Sequence, residues 1–192
     1  MKRKRDKIKK LSGTIDIVIK ISKILPKSFY ISLLKFVRHH DNYLAMFIRY
    51  ICLKNCAKSC GNNVAVFPGV YLHRIHFLDI GDNVSIHPMC YIDASGGVEI
   101  GNDVSIAHNS TIISEEHRYS NLDLNIRDQG CILKPTTIHN NVWIGAGCRI
   151  LAGSIINSGS IVAAGAVVKN EIQSNLIVGG IPAKTIKERK ML

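Results

Sequence analysis

One short phrase, an apolar residue followed by Gly or His, two Asn or Asp residues and Val, occurs four times in this chain. The copies are Cys60-Gly-Asn-Asn-Val64, Ile80-Gly-Asp-Asn-Val84, Ile100-Gly-Asn-Asp-Val104 and Ile138-His-Asn-Asn-Val142, and the first three recur every 20 residues. A period that short predicts a solenoid of stacked turns rather than a globule built around one buried centre. Inside each copy runs a finer beat of six. Ile80, Ile86 and Ile92 mark it first, then Ile100, Ile106 and Ile112, then Ile138, Ile144, Ile150, Ile156, Val162 and Val168. Neither an α-helix nor a simply alternating strand has that period. Each hexad therefore reads as a short strand and a corner. The aliphatic residue points inward, and Gly, Asn or Asp after it tolerates the left-handed backbone of a tight turn. A small or β-branched residue four positions on (Val84, Val104, Ser110, Val142, Ser154, Ser160, Ala166) packs beside the next corner. Three hexads close a triangular coil, and coils pair as parallel strands about 4.8 Å apart. Cys60 to Ile172 holds about five coils, a prism roughly 24 Å tall.

The 192 residues, 46% of them hydrophobic, suit one domain with a modest appendage. Residues 1–58 read as a basic, amphipathic helical segment broken at Pro26, residues 59–188 as the β-helical domain, and 189–192 as a tail. The apolar runs Phe29 to Val37 and Tyr43 to Leu53 are too short to span a bilayer. The formal charge of +11, concentrated at both ends, predicts acidic partners. Residues 1–25 could touch an anionic membrane peripherally, whereas no stacking aromatics or motif point to nucleic acid. The six cysteines follow no secretory segment and read as reduced thiols of a cytoplasmic protein, peripheral at most to the inner membrane face. Cys52, Cys56 and Cys60 fall four apart, as on one helical face, but lack the paired spacing of a zinc site.

A single excursion, residues 113–137, breaks the hexad rule. Long departures from a rigid solenoid tend to carry function, and this one holds His117 between Glu115, Glu116 and Arg118. A histidine can accept a proton near neutral pH.

Several segments in this order resemble one family. They are Ile100-Gly-Asn-Asp-Val-Ser-Ile-Ala-His-Asn109 leading into Ile112-Ile-Ser-Glu-Glu-His117, then Asn141-Val-Trp-Ile-Gly-Ala-Gly147, Ser160-Ile-Val-Ala-Ala-Gly-Ala-Val-Val168 and Gly179-Gly-Ile-Pro-Ala-Lys184. Over about residues 60–188 the chain is similar to the hexapeptide-repeat O-acetyltransferases, the galactoside and maltose acetyltransferases and their relatives in capsule and exopolysaccharide synthesis. The resemblance implies a mainly β chain folded as a left-handed parallel β-helix. It further implies a homotrimer with active sites between subunits, acetyl-CoA as acyl donor without a metal, and a sugar or glycan acceptor. His117 stands where the family has its catalytic histidine. By motif position, Trp143, Ala146 and Ala164 border the pantetheine arm, and Lys169, Asn170, Lys184 and Lys187 the nucleotide end. The lysine of Lys169-Asn-Glu171 lies one position earlier than in the family, which on a strand edge reverses its side. Acceptor contacts align near His87, Asp93 and Ser95. Three other readings stay open: N-acetylation of an amino-sugar nucleotide, a metal site built from histidines as in the γ-class carbonic anhydrases, and a non-catalytic scaffold.

Overall fold

The computed structural model describes residues 12–190, so the basic run Lys2 to Lys10 and the last two residues lie outside the described part. Three helices open it: α1 (Ser12–Ser22), α2 (Lys27–Val37) and α3 (Tyr43–Cys56). Pro26 precedes α2 with an extended backbone, and the Asn42 side chain caps α3 by accepting from the Ala45 N–H at 2.8 Å. Because α3 ends at Cys56, Cys60 does not continue its face. It belongs to the first strand, Ser59–Cys60, and the expected helical cysteine stripe is limited to Cys52 and Cys56.

Parallel strands then stack into a mainly β solenoid of three faces, with six, seven and five strands among the described residues, the last strand of the second face, Lys184–Glu188, running antiparallel. That makes five complete coils and a sixth of two sides, a little more than the hexads suggested. Three ladders of aliphatic side chains fill the interior. Ile80, Ile100, Ile138, Ile156 and Ile172 pair in sequence on the first face. Val66, Ile86, Ile106, Ile144, Val162 and Val178 do so on the second. Ile92, Ile112, Ile150 and Val168 follow on the third. All are buried, as are the seven small or β-branched slot residues. The slot hydroxyls and thiols are not wasted polar groups: Ser110 Oγ donates to Gly145 O at 2.9 Å, Ser160 Oγ to Gln173 O at 2.8 Å, and Cys148 Sγ to Ala163 O at 3.1 Å.

The repeated Asn/Asp pairs build the first corner. Asn63, Asn83, Asp103 and Asn141 take the left-handed backbone with φ of 56°, 60°, 59° and 56°. Their side chains run up the corner as a ladder, Asn63 Nδ2 donating to Asn83 Oδ1 at 2.8 Å and Asn83 Nδ2 to Asp103 Oδ1 at 3.0 Å. The glycine before each of the first three pairs is required by close approach, since a Cβ on Gly81 would stand 2.8 Å from the carbonyl carbon of Gly101. Ile144, fully buried between Ile106 and Val162, tests the interior ladder. Ile144→Ala is expected to lower unfolding free energy by about 2–5 kcal/mol in a denaturant titration.

Helix α3 closes the open base of the first coil and carries α1 and α2 on it. Arg49, only 2% exposed, is the tie. Its Nε donates to Val66 O at 2.8 Å, and its Nη1 donates to Val37 O at 2.8 Å and His40 O at 3.0 Å. Burial pulls this guanidinium below its usual value, with the Asp41 charge acting the other way.

Candidate active site

The excursion is an ordered hairpin, shorter at its base than the broken periodicity indicated. Ile113 ends one coil strand, Thr136 begins the next, and between them Glu115–His117 pairs antiparallel with Cys131–Leu133. Its neck is fastened into the third corner. Lys134 N–H donates to Ser114 O at 2.8 Å, and Thr136 Oγ1 to Ile113 O at 2.8 Å. Ser114 Oγ donates to Asp93 O at 2.8 Å and accepts from the Gly96 N–H at 2.9 Å. Gly96 has to be glycine, because a Cβ there would lie 2.1 Å from Ser114 O.

Directly paired residues of an antiparallel ladder project on the same side. Glu115, His117, Cys131 and Leu133 therefore share one side of the hairpin, and Glu116 takes the other, where it is ion-paired with Lys134. His117 is exposed, and its Nδ1 edge is turned to Cys131 Sγ at 3.8 Å. An exposed imidazole on a two-stranded arm has the chemistry to accept a proton from an incoming group. Cys131 was not legible as its neighbour, because the two lie 14 positions apart and only the hairpin register joins them.

The residues assigned to the coenzyme collect elsewhere. Trp143 projects from the second face, 53% exposed, and in register with it stand Ile161, Ile177 and Lys187 on successive strands. That column is about 14 Å long. Ala146 and Ala164 occupy neighbouring coils at the edge of this face, joined by Gly165 N–H to Ala146 O at 2.8 Å. Lys184, opposite Gly179 on the returning strand Lys184–Glu188, is at the same end. Lys169 and Asn170 are exposed but follow the strand Val167–Val168 on the third face, at a different corner. Among the acceptor candidates, Asp93 is 7% exposed and its carboxylate accepts from Ser95 N–H at 2.9 Å and Ser95 Oγ at 2.6 Å. His87 stacks on Phe67 with ring centroids 4.8 Å apart, a coil away from the hairpin neck. Ser95 instead borders an open groove of about 460 Å³ with Phe77, Glu99, Leu133 and Thr137. Leu133 brings that groove to the same side of the hairpin as His117.

Comparison with known proteins bears on the fold. Residues 135–170 match the family described as bacterial transferase hexapeptide (six repeats). The solved structure of a hexapeptide-repeat acetyltransferase from Vibrio cholerae superposes with a TM-score of 0.75 at 25% identity, covering 90% of this chain and 93% of that one. Galactoside acetyltransferase in complex with coenzyme A gives a TM-score of 0.75 at 26% identity, covering 90% of this chain and 82% of that one. Along its β-helix the chain is similar to the hexapeptide-repeat transferases. The left-handed parallel β-helix expected from its motifs is the fold of those transferases. A curated relative, the "Probable acetyltransferase" Rv3034c of Mycobacterium tuberculosis, is 34% identical over 76 residues, a match covering 40% of this chain and 25% of that protein's length.

Among the described residues no three His, Cys, Asp or Glu side chains gather as a metal ion would need. The thiols differ sharply in environment. Burial pushes Cys52 and Cys60 up to about 12, whereas Cys131 is exposed. Iodoacetamide at pH 8 is expected to modify Cys131 first, with Cys52 and Cys60 labelled only after denaturation. Peptide mass mapping of a time course checks this, and early labelling of Cys52 would contradict it.

Proposed function

We propose that the protein is an acetyl-CoA-dependent O-acetyltransferase acting on a sugar hydroxyl of a capsular, exopolysaccharide or lipopolysaccharide precursor. The observation that carries this reading is His117, held outward on a hairpin in a solenoid whose overall course follows galactoside acetyltransferase with coenzyme A. In the reaction His117 Nε2 removes the proton from the acceptor hydroxyl as its oxygen attacks the thioester carbonyl. The tetrahedral intermediate then collapses, and the imidazolium returns the proton to the departing thiolate. Backbone N–H groups near the hairpin or the Trp143 to Gly147 corner are the candidates for stabilising the oxyanion.

The hairpin leaves the third corner while the Trp143 column stands on the second face, so one subunit does not join them by itself. A homotrimer in which the hairpin of one subunit reaches the column of the next would complete the site, with the closed cyclic symmetry that head-to-tail interfaces produce when the rotation closes. Trp143 and the apolar edge at Ala146 and Ala164 would line the pantetheine arm, and Lys184 and Lys187 would meet the nucleotide phosphates. Ser95, beside the groove that reaches the hairpin, is the acceptor contact best supported by its surroundings.

The test is release of free thiol from acetyl-CoA across a panel of sugars, nucleotide sugars and glycan repeats. Acceptor-dependent release that ends in an acetyl ester, labile to mild base, is the expected result. A base-stable amide formed only with amino sugars would replace O-acetylation by N-acetylation, and failure to bind acetyl-CoA at all would overturn both.

A further inference from the structure

The end cap carries an apolar face that the coils do not use. In α1, Ile19 packs toward the core, and Ser22 Oγ accepts from Asn55 Nδ2 of α3 at 2.9 Å. Those contacts fix which side of the helix is inward. On the opposite side, four apart on one stripe, stand Ile17 and Ile21, 60% and 62% exposed, and in the turn that follows α1 Ile24 is 81% exposed. Helix α2 repeats the arrangement. Tyr30, Leu34 and Val37 are buried, while Phe29 and Phe36, seven apart, face outward at 45% and 74% exposure. Exposed aromatic and aliphatic side chains thus recur on two consecutive helices, each packed on α3, beyond the scattered apolar exposure of an ordinary surface.

The charge on these helices identifies what fits them. Lys20, Lys23, Lys27 and Lys35 are interleaved with the exposed apolar residues, and against them the sequence of α1 and α2 holds one carboxylate, Asp16. Seven of the ten residues that open the chain are also Lys or Arg. A second copy meeting this face symmetrically would set four lysines against four lysines with one acid on each side to pair them. An anionic bilayer supplies both complements at once: headgroup charge for the lysines and an acyl boundary for the isoleucines and phenylalanines. No helix among the described residues is long and apolar enough to cross a membrane, so the contact is one of lying on the surface. We propose that the outer face of α1 and α2, centred on Ile17, Ile21, Ile24, Phe29 and Phe36, seats the protein on an anionic lipid surface. The proposal extends the expected contact beyond residues 1–25 into α2, and it is independent of the acetyl-transfer reading.

Flotation of the full-length protein with vesicles tests it, using phosphatidylcholine alone and phosphatidylcholine with phosphatidylglycerol. The wild-type protein is expected to float with the anionic vesicles only, and less as salt is raised. Ile21→Asp/Ile24→Asp is expected to lower the bound fraction strongly, and Lys20→Gln/Lys23→Gln to weaken binding about tenfold or more. Both substitutions lie on exposed positions, and circular dichroism of each variant confirms that the helices persist. Equal flotation of wild type and Ile21→Asp/Ile24→Asp would overturn the proposal. So would absence of vesicle binding together with a smaller sedimentation coefficient in that variant, which would make the face an interface between copies of the chain.

Discussion

Replacing His117 by alanine is expected to lower turnover at least a hundredfold while coenzyme binding and assembly stay intact. The expectation follows from where the side chain stands. His117 is exposed at the outer pair of a short ladder, opposite Cys131, and none of the interior Ile and Val ladders depends on it. Removing it deletes a proton acceptor without opening a cavity. General-base assistance contributes about 10² to 10⁴ in rate, roughly 3–5 kcal/mol of barrier. The measurement is steady-state thiol release by wild type and His117→Ala at saturating acetyl-CoA, with calorimetric coenzyme binding and sedimentation as controls. Near-normal turnover in the variant would remove His117 from the chemistry. A parallel loss of coenzyme binding would mean that the hairpin serves the donor site rather than proton transfer.

Arg49→Leu is expected to be the most destabilising single change in the helical cap, at about 3–5 kcal/mol. One guanidinium satisfies the carbonyls of Val66, Val37 and His40, so leucine would leave three acceptors in a place water reaches poorly. Arg49→Lys keeps the charge but not the planar fork, and should recover only part of the loss. Urea unfolding followed by far-ultraviolet dichroism reads the effect. A change below 1 kcal/mol for Arg49→Leu would show that water or a shifted side chain meets those carbonyls.

Different physical scales explain which of these features were legible beforehand. A hexad is a local instruction: Ile86 turns inward because of its own strand, and Asn83 takes a left-handed backbone because of its own corner. Repetition then multiplies that information, so the coils, their register and the buried slots from Val84 to Ala166 could all be read in one dimension. Pro26 and the gap after Val37 likewise marked helix breaks. The excursion was visible as a loss of period, but not as a hairpin, because its pairing of Glu115 with Leu133 spans the chain rather than neighbouring residues.

The candidate site divides in the same way. His117, Trp143, Ala146 and Ala164 were found through motif segments that lie along single coils. That Asp93 spends its carboxylate on Ser95, that Cys131 lies beside His117, and that Arg49 is buried under the first coil came only from the folded chain. The sequence by itself determined the repeating unit, and with it the prism and its three interior ladders, since each corner and strand is set by residues within one hexad. Tertiary structure alone decided how the hairpin is anchored at the third corner, away from the Trp143 column, and which side of α1 and α2 is left uncovered. Those are relations between segments that meet only after the coils have stacked, and no local preference encodes them.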